Sequence, residues 1–323
     1  MIQARGLART FRTRRGTVEA VAGVDLDVAP GELVGFLGPN GAGKTTTLRM
    51  LATLLRPTGG TATVAGHDLL ADPAGVRRRI GYVGQSGGAG PDCPVADELA
   101  VQGRLYGMPA AQARARASAL LDELDLGGTG ERLVKTLSGG QRRRLDIAMG
   151  LVHVPDLLFL DEPSTGLDPQ SRANLWDHIR GLHAERGTTL FLTTHYLDEA
   201  DALCDRILVI DHGRLVAEDT PDALKRRVSG DLVVIGTGQP ARVAAIAARL
   251  TGADEPDVDG DTVRFRVPDG AHVLPGLLRE LDADGIAPAS IEVRRPSLDD
   301  VFLTLTGRSL RDAEQAGPQE VRA

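Results

Sequence analysis

The sequence predicts an α/β fold organised around a phosphate-binding loop, with an antiparallel β subdomain, a helical subdomain and a small C-terminal α+β domain. Three observations carry that expectation. Gly38-Pro39-Asn40-Gly41-Ala42-Gly43-Lys44-Thr45-Thr46 has the spacing G-x-x-x-x-G-K-[ST], with an apolar run before it and a helical run after it. Apolar runs that end in polar residues recur at Leu157–Asp161 and Thr189–Thr193, the pattern of strands buried on both faces. Beyond Gly230 the alternation of strand and helix patterns restarts, as a second domain would.

With 323 residues the chain has room for two domains of ordinary size. Hydrophobic residues at 42% and charged residues at 25% are ordinary for a soluble globular protein. No run approaches the ~18–20 uninterrupted apolar residues of a membrane span, and Met1-Ile-Gln-Ala-Arg5 has no apolar core for a signal peptide. The chain is therefore expected in the cytosol or on the cytosolic face of a membrane. Cys93 and Cys204 are the only cysteines, which argues against a disulfide framework and a four-cysteine zinc site. Its 37 basic and 44 acidic residues give a net charge of −7, no general reason to bind nucleic acid. Basic clusters at Arg12, Arg14 and Arg15, at Arg77–Arg79 and at Arg142–Arg144 read as solvated faces.

In chain order, residues 1–35 hold two short runs, Val18–Ala22 and Val24–Val28, in the manner of an antiparallel edge sheet. Phe11 stands alone among polar and basic neighbours, either a platform for a base or a partly buried turn residue. Glu32–Leu37 is the strand into the loop. Thr45–Leu55 is the helix out of it, with Leu48, Met50, Leu51, Leu54 and Leu55 for burial. The glycines between let successive N–H groups converge on an anion at a helix N-terminus. Lys44 would reach the terminal phosphates and the Thr45 hydroxyl would help hold Mg²⁺.

Thr61–Val64 reads as a strand, and Gly81–Gln85 as a strand ending in an amide, which matters only if it ends beside the loop. Val95 to Leu126 is helical, an insertion between parallel strands. Leu137-Ser138-Gly139-Gly140-Gln141 then opens a helix running to about Val152, a second glycine-rich helix N-terminus and a second potential anion site. Arg142, Arg143 and Arg144 in its first turn oppose the helix dipole, a conflict that a nearby anion would relieve. Leu157–Leu160 ends in Asp161 and Glu162. After a phosphate loop, the first carboxylate would hold Mg²⁺ and the second would orient or deprotonate an attacking water. His195 follows the strand Thr189–Thr193, at the edge where α/β proteins bind ligands. Arg206–Val216 reads as a hairpin turning at Asp211–Gly213.

The phosphate loop, Gln85, Leu137–Gln141, Asp161-Glu162, Ser164-Thr-Gly-Leu-Asp168 and His195 arrive in one order. With that order, residues 1 to about 220 resemble the ATP-binding subunit of an ABC transporter. The resemblance implies that Phe11 stacks on adenine, that Gln85 senses the γ-phosphate and Mg²⁺, and that Glu162 is the catalytic carboxylate. It also implies that Ser138 and Gly140 bind the γ-phosphate of ATP held by a partner subunit, that His195 contacts the γ-phosphate, and that Asp168 lies on the dimer contact. Gly103–Gly107, Leu167–Arg172 and the C-terminal region resemble the daunorubicin-resistance type of drug exporter. Gly84 stands where that group normally has Pro before its motif Gln, and Cys93–Leu99 departs from the usual Leu-Thr-x-x-Glu-Asn-Leu.

The expected domains are residues 1–220 for ATP binding (helical subdomain about 86–155), a linker at 221–230, a C-terminal α+β domain at 231–308 and a disordered tail at 309–323. In the C-terminal region Asp231–Ile235, Thr262–Val267 and Ala289–Val293 read as strands and Ala241–Leu250 and Val273–Leu281 as helices. With a weak strand near Asp257 the order is βαββαβ, a ferredoxin-like split. Ser297 would cap a last helix with Leu298, Val301, Phe302 and Leu305 on one face, packed on its own domain or on a dimer partner.

One chain carries one phosphate loop and one Ser-Gly-Gly helix. Two copies arranged head to tail about a two-fold axis would sandwich each ATP. The expectation is an ATP hydrolase that drives efflux of a lipophilic drug or antibiotic through a separate integral membrane permease. Export of a lipid or polysaccharide would look similar. The rival from another class is a soluble ABC ATPase acting on ribosomes or DNA. Such proteins usually carry two nucleotide modules or long basic or zinc-bearing insertions, and this chain has one module. A nucleotide-binding adapter without hydrolysis is opposed by the presence of Lys44, Asp161, Glu162 and His195.

Overall fold

In the computed structural model, which describes residues 1–14, 16–228, 230–251 and 256–307, the N-terminal stretch forms two long paired strands, β1 (Ile2–Thr13) and β2 (Gly16–Val28). The sequence reading missed β1 and cut β2 in two. The cause is a set of three register shifts. Leu7 faces Val24 while Ala8 faces Ala22, so Gly23 is an extra residue, at φ +83°. Two more shifts fall between Ala4 and Leu7 and between Arg9 and Thr10, the latter leaving Ala20 as an extra residue. Each shift breaks the two-residue alternation by which a strand is recognised. The next strand, β3 (Leu33–Leu37), enters a different sheet, and β4 (Gly59–Val64) and β5 (His67–Asp68) complete the first in the order β2-β1-β4-β5.

The second sheet joins β3 to β6 (Ile80–Val83), β7 (Leu157–Asp161), β8 (Thr189–Thr194), β9 (Arg206–Asp211) and β10 (Arg214–Asp219). Its order is β10-β9-β3-β8-β7-β6, parallel throughout except for the β9–β10 hairpin. Every residue of β3, β7 and β8 is buried, which is why these strands read as continuous apolar runs. Helix α1 (Lys44–Leu51) packs against strands of both sheets and shares a core with Ile2, Val21, Phe36, Phe159, Phe191 and Leu208. It stops short of the expected Leu55, because Thr53 takes φ +63°; Leu54 consequently stands exposed rather than buried.

Helix α2 (Pro73–Arg79) leads into β6. The helical block follows: α3 (Val95–Leu105) and α4 (Ala110–Glu123) pack on each other, and α5 (Gly139–Leu151) touches both and β6. Helices α6 (Pro169–Arg186) and α7 (Leu197–Leu203) alternate with β7, β8 and β9, the α/β pattern in which a parallel sheet is covered on its faces. Among the described residues no helix is long and apolar enough to cross a membrane.

The chain divides into two units between Pro221 and Asp222, within α8 (Pro221–Arg226). The second unit runs β11 (Asp231–Gly236), α9 (Pro240–Thr251), β12 (Asp257–Asp259), β13 (Thr262–Val267), α10 (Gly270–Ala283), β14 (Ser290–Arg294). Its sheet order is β12-β13-β11-β14, antiparallel at every pairing, the arrangement of the ferredoxin-like split. Val233, Ile235, Val263 and Phe265 from the sheet bury against Val243, Ile246 and Leu277 of α9 and α10. Helix α11 (Leu298–Thr306) begins at a capping box of Ser297 and Asp300 and buries Leu298, Val301 and Phe302, while Leu305 is partly exposed. The tail expected at 309–323 lies outside the described residues.

Candidate nucleotide site

Parallel pairing decides where the polar residues meet. Leu37 is in register with Thr194, Asp161 with Thr193, and Val83 with Leu160. The segments leaving β3, β8, β7 and β6 therefore emerge on one edge of the sheet, the edge at which open α/β sheets bind ligands. They deliver the glycine loop, His195, Glu162 and Gln85 respectively.

The loop residues Gly38–Gly43 lead directly into α1, with Thr45 and Thr46 in its first turn. Gly43 takes φ +107°, and a Cβ there would come within 2.5 Å of the Ala20 carbonyl oxygen on β2. Only glycine fits that position. Backbone bonds hold the loop to its surroundings: Gly38 N–H donates to Thr194 O, Ala42 N–H to Pro39 O, and Gly213 N–H to Ala42 O. Lys44 is 4% exposed and donates through Nζ to the carbonyls of Gly38 (2.7 Å) and Pro39 (3.1 Å).

Asp161 is fully buried. Its Oδ1 accepts from the hydroxyls of Thr45 (2.9 Å) and Thr193 (2.8 Å), joining α1, β7 and β8. Gln85 Nε2 donates to Thr45 Oγ1 at 3.3 Å, so β6 does end beside the loop. Glu162 has φ +46°, and its N–H donates to Thr193 Oγ1 at 3.0 Å. Its Oε1 lies 3.4 Å from Lys44 Nζ, and its Oε2 lies 3.4 Å from His195 Nδ1 and accepts from Thr165 Oγ1. Burial pushes the Glu162 carboxyl up, but the His195 contact and the Lys44 charge outweigh it, so the group sits below the usual carboxylate range. It is a carboxylate at neutral pH. Thr45, Asp161 and Gln85 offer hydroxyl, carboxylate and amide oxygens, a donor set that suits a hard divalent cation.

The other expected residues lie apart from this cluster. Ser138 caps α5 by accepting from Gln141 N–H (3.2 Å), while the Gln141 side chain accepts from Ser138 N–H (3.1 Å). Ser138 and Gly139 are exposed, and among the described residues Ser138 and Gln141 bond to none of the Lys44 cluster. The α5 N-terminus is thus open to an outside partner. A Cβ on Gly140 would come within 3.0 Å of Ser171 Oγ, so α5 packs tightly on the turn that Asp168 caps. Asp168 accepts from Ser171 N–H (2.9 Å) and Ser171 Oγ (2.6 Å), and the Ser171 hydroxyl lowers its pKa. Phe11 lies half-buried on β1, paired with Val18 of β2, with the Arg9 guanidinium 4.6 Å from its ring centroid. Ala20, two residues along β2, is the residue that crowds Gly43.

One expectation fails. Arg142–Arg144 is not a solvated face: Arg142 is exposed, but Arg143 is buried and Arg144 bonds to Asn174 and to the Asp125 carbonyl. A helical reading would have found this. Gly140, Arg143 and Ile147 share one face of α5, the face that Leu151 continues. Thr193 was also overlooked; its signal is a hydroxyl at the end of an otherwise apolar buried strand.

Residues 21–165 match the ABC transporter family, and residues 220–306 match the C-terminal domain of DrrA1-3-like ATP-binding proteins. The chain is 46% identical to a daunorubicin/doxorubicin resistance ATP-binding protein, DrrA, from Streptomyces peucetius, across 99% of this chain and 97% of that protein. It is 41% identical to a Nod factor export ATP-binding protein from Paraburkholderia xenovorans, across 92% of this chain and 95% of that one. Among solved structures, a dimeric ATP-binding cassette in a post-hydrolysis state with ADP and phosphate bound superposes with a TM-score of 0.63. It is 25% identical, covering 68% of this chain and 98% of that one. The chain belongs to the ATP-binding proteins of the ABC transporter family and is an ATP hydrolase with a DrrA1-3-like C-terminal domain.

Proposed function

We propose that this chain energises efflux of a lipophilic drug or antibiotic through a separate integral membrane permease. In this reading it works at the cytoplasmic face of the membrane, as a head-to-tail homodimer closed by ATP. The observation that carries the proposal is the likeness to a daunorubicin/doxorubicin resistance protein over both domains, C-terminal domain included. A different exported cargo is the second reading, and the relative named for Nod factor export favours it.

The site geometry supports hydrolysis as follows. The loop N–H groups and the α1 N-terminus cradle the phosphates, and Lys44 brings its ammonium to their terminal oxygens. Thr45, Asp161 and Gln85 would hold Mg²⁺, which when bound neutralises charge developing on the phosphate oxygens. Glu162, kept ionised beside Lys44 and His195, orients the attacking water and takes its proton. His195 supports the γ-phosphate. Ser138 and the exposed N–H groups of the partner copy's α5 close over the same phosphate, a role supported by their exposure here and by the dimeric cassette among the similar structures. Phe11 stacks on the adenine through the ring face not covered by Arg9.

Glu162→Gln is expected to bind ATP and dimerise on it, while steady-state phosphate release falls on the order of 10²–10⁴-fold. Cells expressing the variant with its membrane subunit should retain daunorubicin that wild-type cells export. Normal turnover would sink the catalytic assignment, and slowed turnover with drug retention unchanged from wild type would sink the cargo. Phe11→Ala should raise the KM for ATP about fivefold or more at nearly constant kcat, since base–aromatic stacking contributes roughly 1–3 kcal/mol; an unchanged KM would remove Phe11 from the site.

A further inference from the structure

Arg143 does something that the phosphate chemistry does not use. It lies on α5, little more than one turn beyond Ser138, and is 8% exposed. Its guanidinium donates three hydrogen bonds, all to backbone carbonyls. Nε reaches Pro163 O at 2.7 Å, Nη1 reaches Gly84 O at 2.6 Å, and Nη2 reaches Asp161 O at 3.0 Å. Asp161 and Pro163 are the two neighbours of Glu162, and Gly84 precedes Gln85. One side chain thus grips the chain on both sides of the catalytic carboxylate and just before the motif glutamine. Asp146, the next turn along α5, accepts from Gly88 N–H at 3.3 Å and so holds the far end of the Gln85 segment.

Two physical facts make this grip consequential. Glu162 sits at φ +46°, a conformation that a non-glycine residue keeps only when its surroundings enforce it. The planar guanidinium fork also has its donors in fixed directions, so it can satisfy three carbonyls at once, which an ammonium on a flexible stem cannot. Burial opposes the charge on Arg143 and lowers its pKa, and the carboxylates of Asp146 and Asp161 offset only part of that cost.

We infer that Arg143 is a positioning residue that sets Glu162 and Gln85 of its own chain from the helix whose N-terminus faces the partner's ATP. Seating Ser138 on one ATP therefore adjusts the geometry around the other, and this consequence rests on the head-to-tail dimer proposed above. Arg143 in this way links the two half-sites carried by one chain.

The test uses full-length Arg143→Lys, which keeps the charge and loses the fork. Its affinity for ATP should stay within about twofold of wild type, because the phosphate loop is held by other bonds, while kcat falls on the order of 10–100-fold. Mixed dimers then assign the loss to a site. Pairing an Arg143→Lys chain with a Glu162→Gln chain leaves one working Glu162, whose own Arg143 is altered, and that dimer should be slow. Pairing a wild-type chain with an Arg143→Lys/Glu162→Gln double variant leaves a working Glu162 with its own Arg143 intact. That dimer should match the wild-type plus Glu162→Gln control. Equal slowing of both mixtures, an unchanged kcat, or loss of nucleotide binding along with turnover would each overturn the inference. If wild-type and Glu162→Gln chains form no mixed dimer on ATP, the dimer reading fails by itself, and the kcat-against-affinity split of Arg143→Lys still decides the positioning role.

Discussion

The buried Asp161 carboxylate is the junction on which the nucleotide site depends. It accepts hydroxyl bonds from Thr45 on the helix that follows the phosphate loop and from Thr193 on the neighbouring strand. A buried carboxylate is costly unless its lone pairs are satisfied, so both threonines serve the fold, whatever further role Thr45 has toward a cation. Parallel strand register does the rest. It brings four separated segments to one edge, and the side chains there need only short reaches to meet.

The site so assembled is one-sided. Lys44, Asp161, Glu162, His195 and Gln85 cluster, while the second glycine-rich helix end at Ser138 is capped, exposed and joined to the cluster only through its stem. In the proposed reading a single chain has the parts of two half-sites and completes neither alone. In the proposed two-fold dimer each ATP would take one half from each copy, which would turn nucleotide binding into an association event that a membrane partner can use. The inferred role of Arg143 would give that association a physical route back to Glu162.

Much of this was legible in the sequence, for a local reason. The glycine loop, the Asp161-Glu162 pair and His195 are short motifs at the ends of strands that are buried on both faces, and such strands announce themselves as apolar runs. The split order of the C-terminal unit was also readable, down to the short strand at Asp257–Asp259. What was not legible depended on contacts distant in sequence or on broken periodicity. The β1–β2 pairing hid behind register shifts at Gly23, at Ala20 and between Ala4 and Leu7. Helix α1 ended early because Thr53 adopts a left-handed turn, which its identity does not signal. Arg143 was misjudged because a run of three arginines was read by its charge, although its place on the buried face of α5 follows from helical spacing.

The most direct test of the shared site is complementation between two inactive chains, Lys44→Ala and Ser138→Arg. In a head-to-tail mixed dimer both lesions fall in the same site, because Lys44 of one copy faces Ser138 of the other. The second site then holds wild-type residues throughout. Each variant alone should be inactive, and an equimolar mixture should regain roughly a quarter of wild-type ATPase activity, as random pairing into two-site dimers requires. A mixture as inactive as its components, with mixed dimers shown to form, would contradict the account.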